Sequence, residues 1–138
     1  MSRLRAFLSM HAVPRSTDLA LLVLRVWSAG MLIYLHGWMK VGMLSAENVQ
    51  FFDPFGFGPR ISVGMAVTSE VICATLVIIG LATRWAALAL VASLTTTFIV
   101  AHHHLLKGPG SGELPFLYLA CMFVILLAGP GRYSIDGD

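Results

Sequence analysis

The sequence predicts an all-α integral membrane protein built as a four-helix bundle. Of its 138 residues, 57% are hydrophobic and only 12% are charged, and the mean hydropathy is +0.82. A soluble domain has about a quarter of its residues charged, so this composition is typical of a membrane protein. Four long apolar stretches are separated by short polar or Gly/Pro-containing segments. Because a membrane helix needs about 20 apolar residues, the length suits four spans in one bundle.

Residues 1–18 form a basic lead-in, and residues 19–138 are predicted to form a single transmembrane bundle. Residues 4–10 are compatible with a short interfacial helix, and Ser16, Thr17 and Asp18 supply capping groups for the first span. The apolar run that follows contains Arg25 and lacks a small-residue cleavage site after it. We therefore expect it to be a retained membrane helix and not a signal peptide.

The predicted spans cover about residues 19–41, 61–81, 84–102 and 113–128. The loop between the first two contains four phenylalanines interleaved with Gly and Pro, which prevents a continuous helix: Phe51, Phe52, Phe55 and Phe57. This loop either anchors the chain at the lipid head groups or forms a lid over the mouth of the bundle. At the other end of the bundle, the run Gly129-Pro130-Gly131 must terminate the fourth span.

Three ionisable residues, Arg25, His36 and Lys40, lie inside the first span. Their positions differ by eleven and by four, which places them in one stripe of a 3.6-residue helix. A charge at the centre of a bilayer costs about 3 kcal/mol on insertion scales, so the stripe is predicted to face the protein interior.

The second span holds one ionisable residue, Glu70. Arg25 lies about 16 Å deeper than His36, and Glu70 falls between their two levels. We predict that Glu70 accepts an ion pair or hydrogen bond from Arg25 or His36. Such a pair either fixes the helix register or provides a titrating group for a ligand.

The third span ends in His102, His103 and His104, and the fourth begins at Glu113. In an antiparallel bundle these residues lie on the same side as His36 and Lys40. Consecutive helical residues point about 100° apart, so at most one of the three histidines faces the centre. Metal sites favour histidines four residues apart, which the triplet lacks, or ligands from several helices, which His36, one of the three histidines and Glu113 could supply. A solvated helix end or a proton-accessible mouth is nevertheless favoured over a metal or haem site.

Cys73 and Cys121 both lie in apolar segments and outside any CxxC motif. Buried thiols are favoured, and a disulfide within the membrane stays open. The net charge of +2 and the absence of a basic run exclude a nucleic-acid partner.

Lysine and arginine positions predict the orientation, because these residues are in excess in cytoplasmic loops. An even number of crossings puts both termini on the same side as the second loop. That side carries Arg3, Arg5, Arg15, Arg84 and Arg132, against Lys40, Arg60 and Lys107 on the other. We expect both termini to be cytoplasmic.

Several short motifs follow one another in a characteristic order. They are Leu35-His36-Gly37 with Lys40, then Glu70, Gly80-Leu81-Ala82-Thr83-Arg84, a histidine ending the third span, Gly112-Glu113-Leu114, and the closing run from Gly129 to Asp136. This series resembles the DoxX family of small bacterial four-helix membrane proteins. It is similar to the membrane subunit of thiosulfate:quinone oxidoreductase and to relatives linked with quinone stress. The resemblance implies a multi-pass protein of the bacterial cytoplasmic (inner) membrane.

The resemblance also implies a membrane component of a quinone-linked redox system that binds a quinone-like ligand in a polar-lined bundle. Glu70 and His36 are the expected catalytic residues, and the expected ligand-binding residues are Arg25, Lys40, His102 and Glu113. No flavin, iron–sulfur or nucleotide motif is present, so electrons would come from a soluble redox partner protein or a dissolved reductant.

Other functions and assemblies stay open. The chain is either a subunit of a quinone-linked oxidoreductase, a non-catalytic membrane anchor or scaffold for a soluble partner, or a carrier of small or lipid-like molecules. Contact with the lipid bilayer is expected in each case, and a homo-oligomer is a further possibility.

Overall fold

Four helices in up-and-down order make up the protein in a computed structural model that describes residues 16–137. They are α1 (Thr17–Leu44), α2 (Pro59–Ile79), α3 (Thr83–Ala101) and α4 (Glu113–Ala128). Residues 16–137 contain no strand, so the predicted all-α bundle is confirmed. By length and composition α1, α2 and α3 can each cross a membrane, while α4 is shorter. The predicted lead-in helix lies outside the described residues.

The helix ends follow the chemistry of their terminal residues. Ser16 caps α1, where its hydroxyl accepts a hydrogen bond of 3.1 Å from the amide of Leu19. At the far end of the chain α4 stops at Ala128, because Gly129 has a φ of +83° and a proline follows. The cap at Ser16 and the stop at Gly129 are those that the sequence indicated for these two helix ends.

The two ends of the bundle are packed differently. We call the end at Thr17, Ile79, Thr83 and Ala128 the inner end, and the opposite end the outer end. The buried apolar core lies towards the inner end, where its alanines let the helices approach closely. The core residues are Ala29, Leu32, Ala74, Val77, Ala86, Ala87, Leu90, Leu94, Met122 and Ile125. Helix α1 packs mainly against α2, and α3 packs mainly against α4.

Three of the four helices widen into a π turn in the outer half of the bundle. These turns are Ile33–Gly37 in α1, Thr68–Cys73 in α2 and Thr97–Ala101 in α3. A π turn replaces i→i+4 hydrogen bonds by i→i+5 bonds and rotates the side chains that follow it. Such turns occur frequently at functional sites, so the outer half is where a site is expected.

Large apolar side chains cover the outside of the bundle, including Trp27, Tyr34, Trp38 and Trp85, each at least 70% exposed. In a soluble protein this surface would be an aggregation hazard, whereas a bilayer solvates it. Together with the long apolar helices, it identifies the surface as lipid-facing.

Candidate functional site

A cavity of about 810 Å³ occupies the outer half of the bundle. All four helices and the loop between α1 and α2 contribute to its wall, which is mostly apolar. The wall includes the ionisable side chains of His36, Lys40, Glu70, His102 and Tyr118. This volume is within the range of small-molecule sites, which are typically apolar with a few converging polar groups.

An ion pair between Lys40 and Glu70 joins α1 to α2 beside the cavity. The Lys40 ammonium contacts both carboxylate oxygens of Glu70, and the two side chains are 13% and 3% exposed. Gly37 permits this approach, because a Cβ there would lie 2.8 Å from Val71 Cγ2 and 3.1 Å from the Glu70 carbonyl oxygen. Each charge neutralises the other, which allows both to lie within the span of their helices.

His36 lies one turn before Lys40, in the π turn of α1. Its ring packs edge-on against Tyr118 of α4, with centroids 5.8 Å apart and an interplanar angle of 82°. The Nε2 atom is buried and has no hydrogen-bond partner among residues 16–137. Buried polar atoms normally have a partner, so this nitrogen is available to a ligand or a water molecule.

Only the first histidine of the triplet reaches the cavity. His102 lines it, and its Nδ1 lies 2.8 Å from the carbonyl oxygen of Gly110. His103 and His104 are exposed and adopt left-handed backbone angles, with φ of +48° and +50°. The prediction that at most one of the three faces the centre is confirmed. Within residues 16–137, no three His, Cys, Asp or Glu side chains are grouped closely enough to hold a metal ion.

The phenylalanine-rich loop covers part of the cavity. Phe51, Phe52 and Phe55 line it, and the Lys40 ammonium lies 6.0 Å from the centroid of the Phe51 ring. The loop is braced by Asp53. Of the two predicted roles, this placement favours the lid.

The brace consists of hydrogen bonds to both oxygens of the Asp53 carboxylate. Oδ1 accepts from the Ser62 hydroxyl at 2.7 Å and from the Phe57 amide at 3.2 Å, while Oδ2 accepts from the Gly58 amide at 2.7 Å. These hydrogen bonds lower the pKa of the Asp53 carboxyl below its usual value, and the bond from Ser62 makes the largest contribution.

The predicted pairing of Glu70 with Arg25 or His36 is wrong. Arg25 is fully buried towards the inner end, where Nη1 donates to the carbonyls of Val77 at 3.2 Å and Ile78 at 3.5 Å. Its Nη2 donates to the carbonyl of Tyr133 at 2.6 Å. The last carbonyls of α2 have no amide partners within the helix, so they provide nearer acceptors than Glu70. Arg25 does not line the cavity.

Glu113 also lies away from the cavity. It is exposed in the first turn of α4, a position that the helix dipole favours for a carboxylate. The expected site residues thus separate into two groups. His36, Lys40, Glu70 and His102 come together at the cavity, whereas Arg25 and Glu113 do not.

Comparison with known families now settles the membership of the chain. A model of the DoxX family matches residues 20–103. The protein belongs to the DoxX family. No curated protein and no solved structure gives a match. The DoxX match runs from α1 to the histidine triplet and includes all four expected residues that meet at the cavity. With its apolar helices, membership of this family makes the chain a multi-pass membrane protein.

Tyr118 is a cavity residue that the sequence reasoning missed, and it lies beyond the DoxX match. A signal for it existed, because Pro115, Met122 and Ile125 are the buried residues of α4 and Tyr118 continues their spacing of three or four. Cys73 also lines the cavity, and both Cys73 and Cys121 are free thiols. The disulfide that the sequence left open is therefore not formed.

Proposed function

We propose that this DoxX-family protein is the membrane component of a quinone-linked redox system and binds a quinone-like ring in its outer cavity. The observation that carries the proposal is the unpartnered Nε2 of His36 in the same apolar cavity as the Lys40–Glu70 pair. A quinone has an apolar ring with two carbonyl oxygens, so it needs an apolar space and hydrogen-bond donors at its edge. The cavity offers both.

The donors follow from the valences of the side chains. An ammonium group has three N–H bonds, of which Glu70 occupies two, so Lys40 retains one for a carbonyl oxygen. His36 donates through Nε2 in one of its tautomers, and Tyr118, whose ring packs against that of His36, adds a hydroxyl to the cavity lining. Donors on α1 and α4 together would fix the orientation of the ring.

Proton transfer is the second requirement, because reducing a quinone to a quinol adds two electrons and two protons. Glu70 and His36 would carry protons to the two carbonyl oxygens, and His102 at the mouth would exchange them with water. The electrons would come from a soluble redox partner protein or a dissolved reductant. Phe51 and Phe52 would exclude water from the ring.

The proposed location is the bacterial cytoplasmic membrane, and the positive charges favour an orientation with both termini in the cytoplasm. Arg84 and Arg132 lie at the inner end, and Arg60 and Lys107 lie at the outer end, so the prediction also depends on the arginines that precede α1. In this orientation the cavity and its lid face the outside. A redox partner would then approach from that side.

Titration of the purified protein in lipid nanodiscs with a short-tailed quinone analogue tests the proposal. We expect Glu70→Gln and His36→Ala to weaken binding about tenfold each, which corresponds to about 1.4 kcal/mol. Glu113→Gln and His103→Ala are matched controls, because they change the same residue types outside the cavity. Both controls should bind as the wild type does.

Equal affinity across all five proteins, or no binding to the folded wild type, would contradict the proposal. Retained assembly with a soluble partner after neutralisation of the Lys40–Glu70 pair would then favour an anchor. Exchange of a bound lipid without any redox change would favour a carrier.

A further inference from the structure

We infer that the cavity opens sideways into the bilayer between α2 and α3, and that this portal holds the apolar tail of a long-tailed ring ligand. The inference rests on the proposed function and specifies its ligand class: a ring substituted with a polyisoprenoid or similarly long hydrocarbon chain. Such a ligand would enter from the lipid and not from water.

The first observation is a change of partner along α2. Its inner part, Ala74–Ile79, packs against α3, as does the π turn Thr68–Cys73. Beyond that turn, Pro59–Val67 packs against the end of α1 at Trp38–Leu44 and makes no comparable contact with α3. Helix α3 remains packed on α4. The two helices therefore separate towards the outer end, at the level of the cavity.

The second observation is that cavity residues on both sides of this gap are exposed. Met65 and Thr68 of α2 line the cavity, as do Ala89 and Ala92 of α3, and all four are exposed. Residues that line a closed cavity would be buried, as Leu94 is on the neighbouring face of α3. The cavity thus reaches the lipid-facing surface between the two helices.

The third observation concerns the chemistry of the portal wall. Thr68 Oγ1 donates to the Gly64 carbonyl at 2.9 Å, and Thr96 Oγ1 donates to the Ala92 carbonyl at 3.0 Å. Ser69 and Ser93 share a hydrogen bond of 2.9 Å across the base of the gap. Because these hydroxyls are satisfied within the protein, the wall presents mainly methyl and methylene groups, which suit a hydrocarbon chain.

The geometry assigns the two parts of the ligand to two parts of the cavity. The ring lies beside Lys40, Glu70 and His36, under Phe51 and Phe52. The tail lies between α2 and α3, where it replaces lipid. A tail longer than the cavity therefore meets no steric obstacle, because its far end stays in the bilayer.

Two analogues with the same quinone ring, one carrying a long isoprenoid tail and one carrying only a methyl group, test the portal. Ala92→Trp fills the gap from α3, and Met65→Trp fills it from α2, both at exposed positions of the portal wall. Ala120→Trp, at an exposed position of α4 outside the cavity, is the control.

We expect each portal variant to weaken binding of the tailed analogue about tenfold while binding of the methyl analogue changes less than about twofold. The Ala120→Trp protein should bind both as the wild type does. If neither portal variant distinguishes the two analogues, the portal is wrong. That result differs from failure of the proposed function, in which the unmodified protein binds neither analogue.

Discussion

The inner and outer ends of the bundle both bury charge, but they use it differently. At the inner end, Arg25 donates three hydrogen bonds to main-chain carbonyls. At the outer end, Lys40 and Glu70 pair with each other beside an open cavity. Each end also has one buried nitrogen without a partner among residues 16–137, Nε of Arg25 and Nε2 of His36. Of the two residues, His36 lines the cavity and Arg25 does not, so the adjoining space and not the charge distinguishes the candidate binding site from the structural contact.

The inner end is closed by residues 129–137, the tail that follows α4. Gly80 lacks a side chain where the Arg25 guanidinium and Ser134 pass, so this turn between α2 and α3 accepts only glycine. Asp136 accepts hydrogen bonds from the amides of Ala82 at 2.9 Å and Thr83 at 2.7 Å. The tail thus joins three helices, and the comparison with the outer end can be tested by removing one contact at a time.

The largest expected effect comes from removing one partner of the outer ion pair. Glu70→Ala leaves the Lys40 ammonium unpaired inside the bundle and should lower the free energy of unfolding by about 3–5 kcal/mol. The double variant Lys40→Met/Glu70→Leu should be much less destabilised, because neither charge remains. Unfolding in mixed detergent micelles measures both. A double variant that is less stable than Glu70→Ala would contradict this account of the pair.

Arg25→Met should have the next largest effect. It removes charged hydrogen-bond donors from three main-chain carbonyls, and such bonds contribute about 1.5–3 kcal/mol each at most. We expect a loss of about 2 kcal/mol after the freed carbonyls rebind water. Arg132→Met is the control, since the contact of Arg132 with Asp18 uses its main-chain amide. Equal stability of the two variants would show that Arg25 does not hold the tail.

Asp136→Asn should have a smaller effect that depends on pH. The hydrogen bond from the Thr83 amide is the main cause that lowers the pKa of the Asp136 carboxyl below its ordinary value of 3.8. A lowered pKa means that the folded state favours the ionised form, so this stabilisation is complete above pH 3.8 and is lost as the pH falls through the folded-state value. The difference in unfolding temperature between wild type and variant should therefore shrink below pH 3.8. A constant difference down to pH 2 would contradict it.

Asp53→Asn should have the smallest effect, and it should act on ligand release. It weakens the brace of the lid at the Ser62 hydroxyl and the Gly58 amide without touching the cavity wall. We expect faster dissociation of a bound quinone analogue, by about threefold, with an unchanged unfolding temperature. Stopped-flow dissociation measures it, with exposed Glu47→Gln as the control. An unchanged dissociation rate would exclude a lid function for this loop.

Much of the fold could be predicted because apolar length and Gly/Pro breaks determine where membrane helices begin and end. The meeting of His36, Lys40 and His102 at the outer end also followed, since antiparallel helices place residues by their distance from the helix ends. The partner of Glu70 did not follow. Lys40 reaches it only because Gly37 lets α1 approach α2 closely and because both helices contain π turns.

Arg25 illustrates a second limit of the sequence. Its acceptors are carbonyls of Val77, Ile78 and Tyr133, and main-chain groups have no residue type that a pattern can detect. Predicting these acceptors would have required knowing how residues 129–137 fold over the inner end. The helical spacing grouped Arg25 with His36 and Lys40 in one stripe, and only side-chain partners were considered for that stripe.

The most direct test measures stability and ligand affinity together in two variants, His36→Ala at the outer end and Arg25→Met at the inner end. Both proteins are compared with the wild type in the same nanodiscs, with the short-tailed quinone analogue. We predict that His36→Ala loses about tenfold in affinity with an unchanged unfolding temperature, and that Arg25→Met unfolds at a lower temperature with unchanged affinity. If Arg25→Met weakens binding as much as His36→Ala does, the two ends do not have separate roles and the account is wrong.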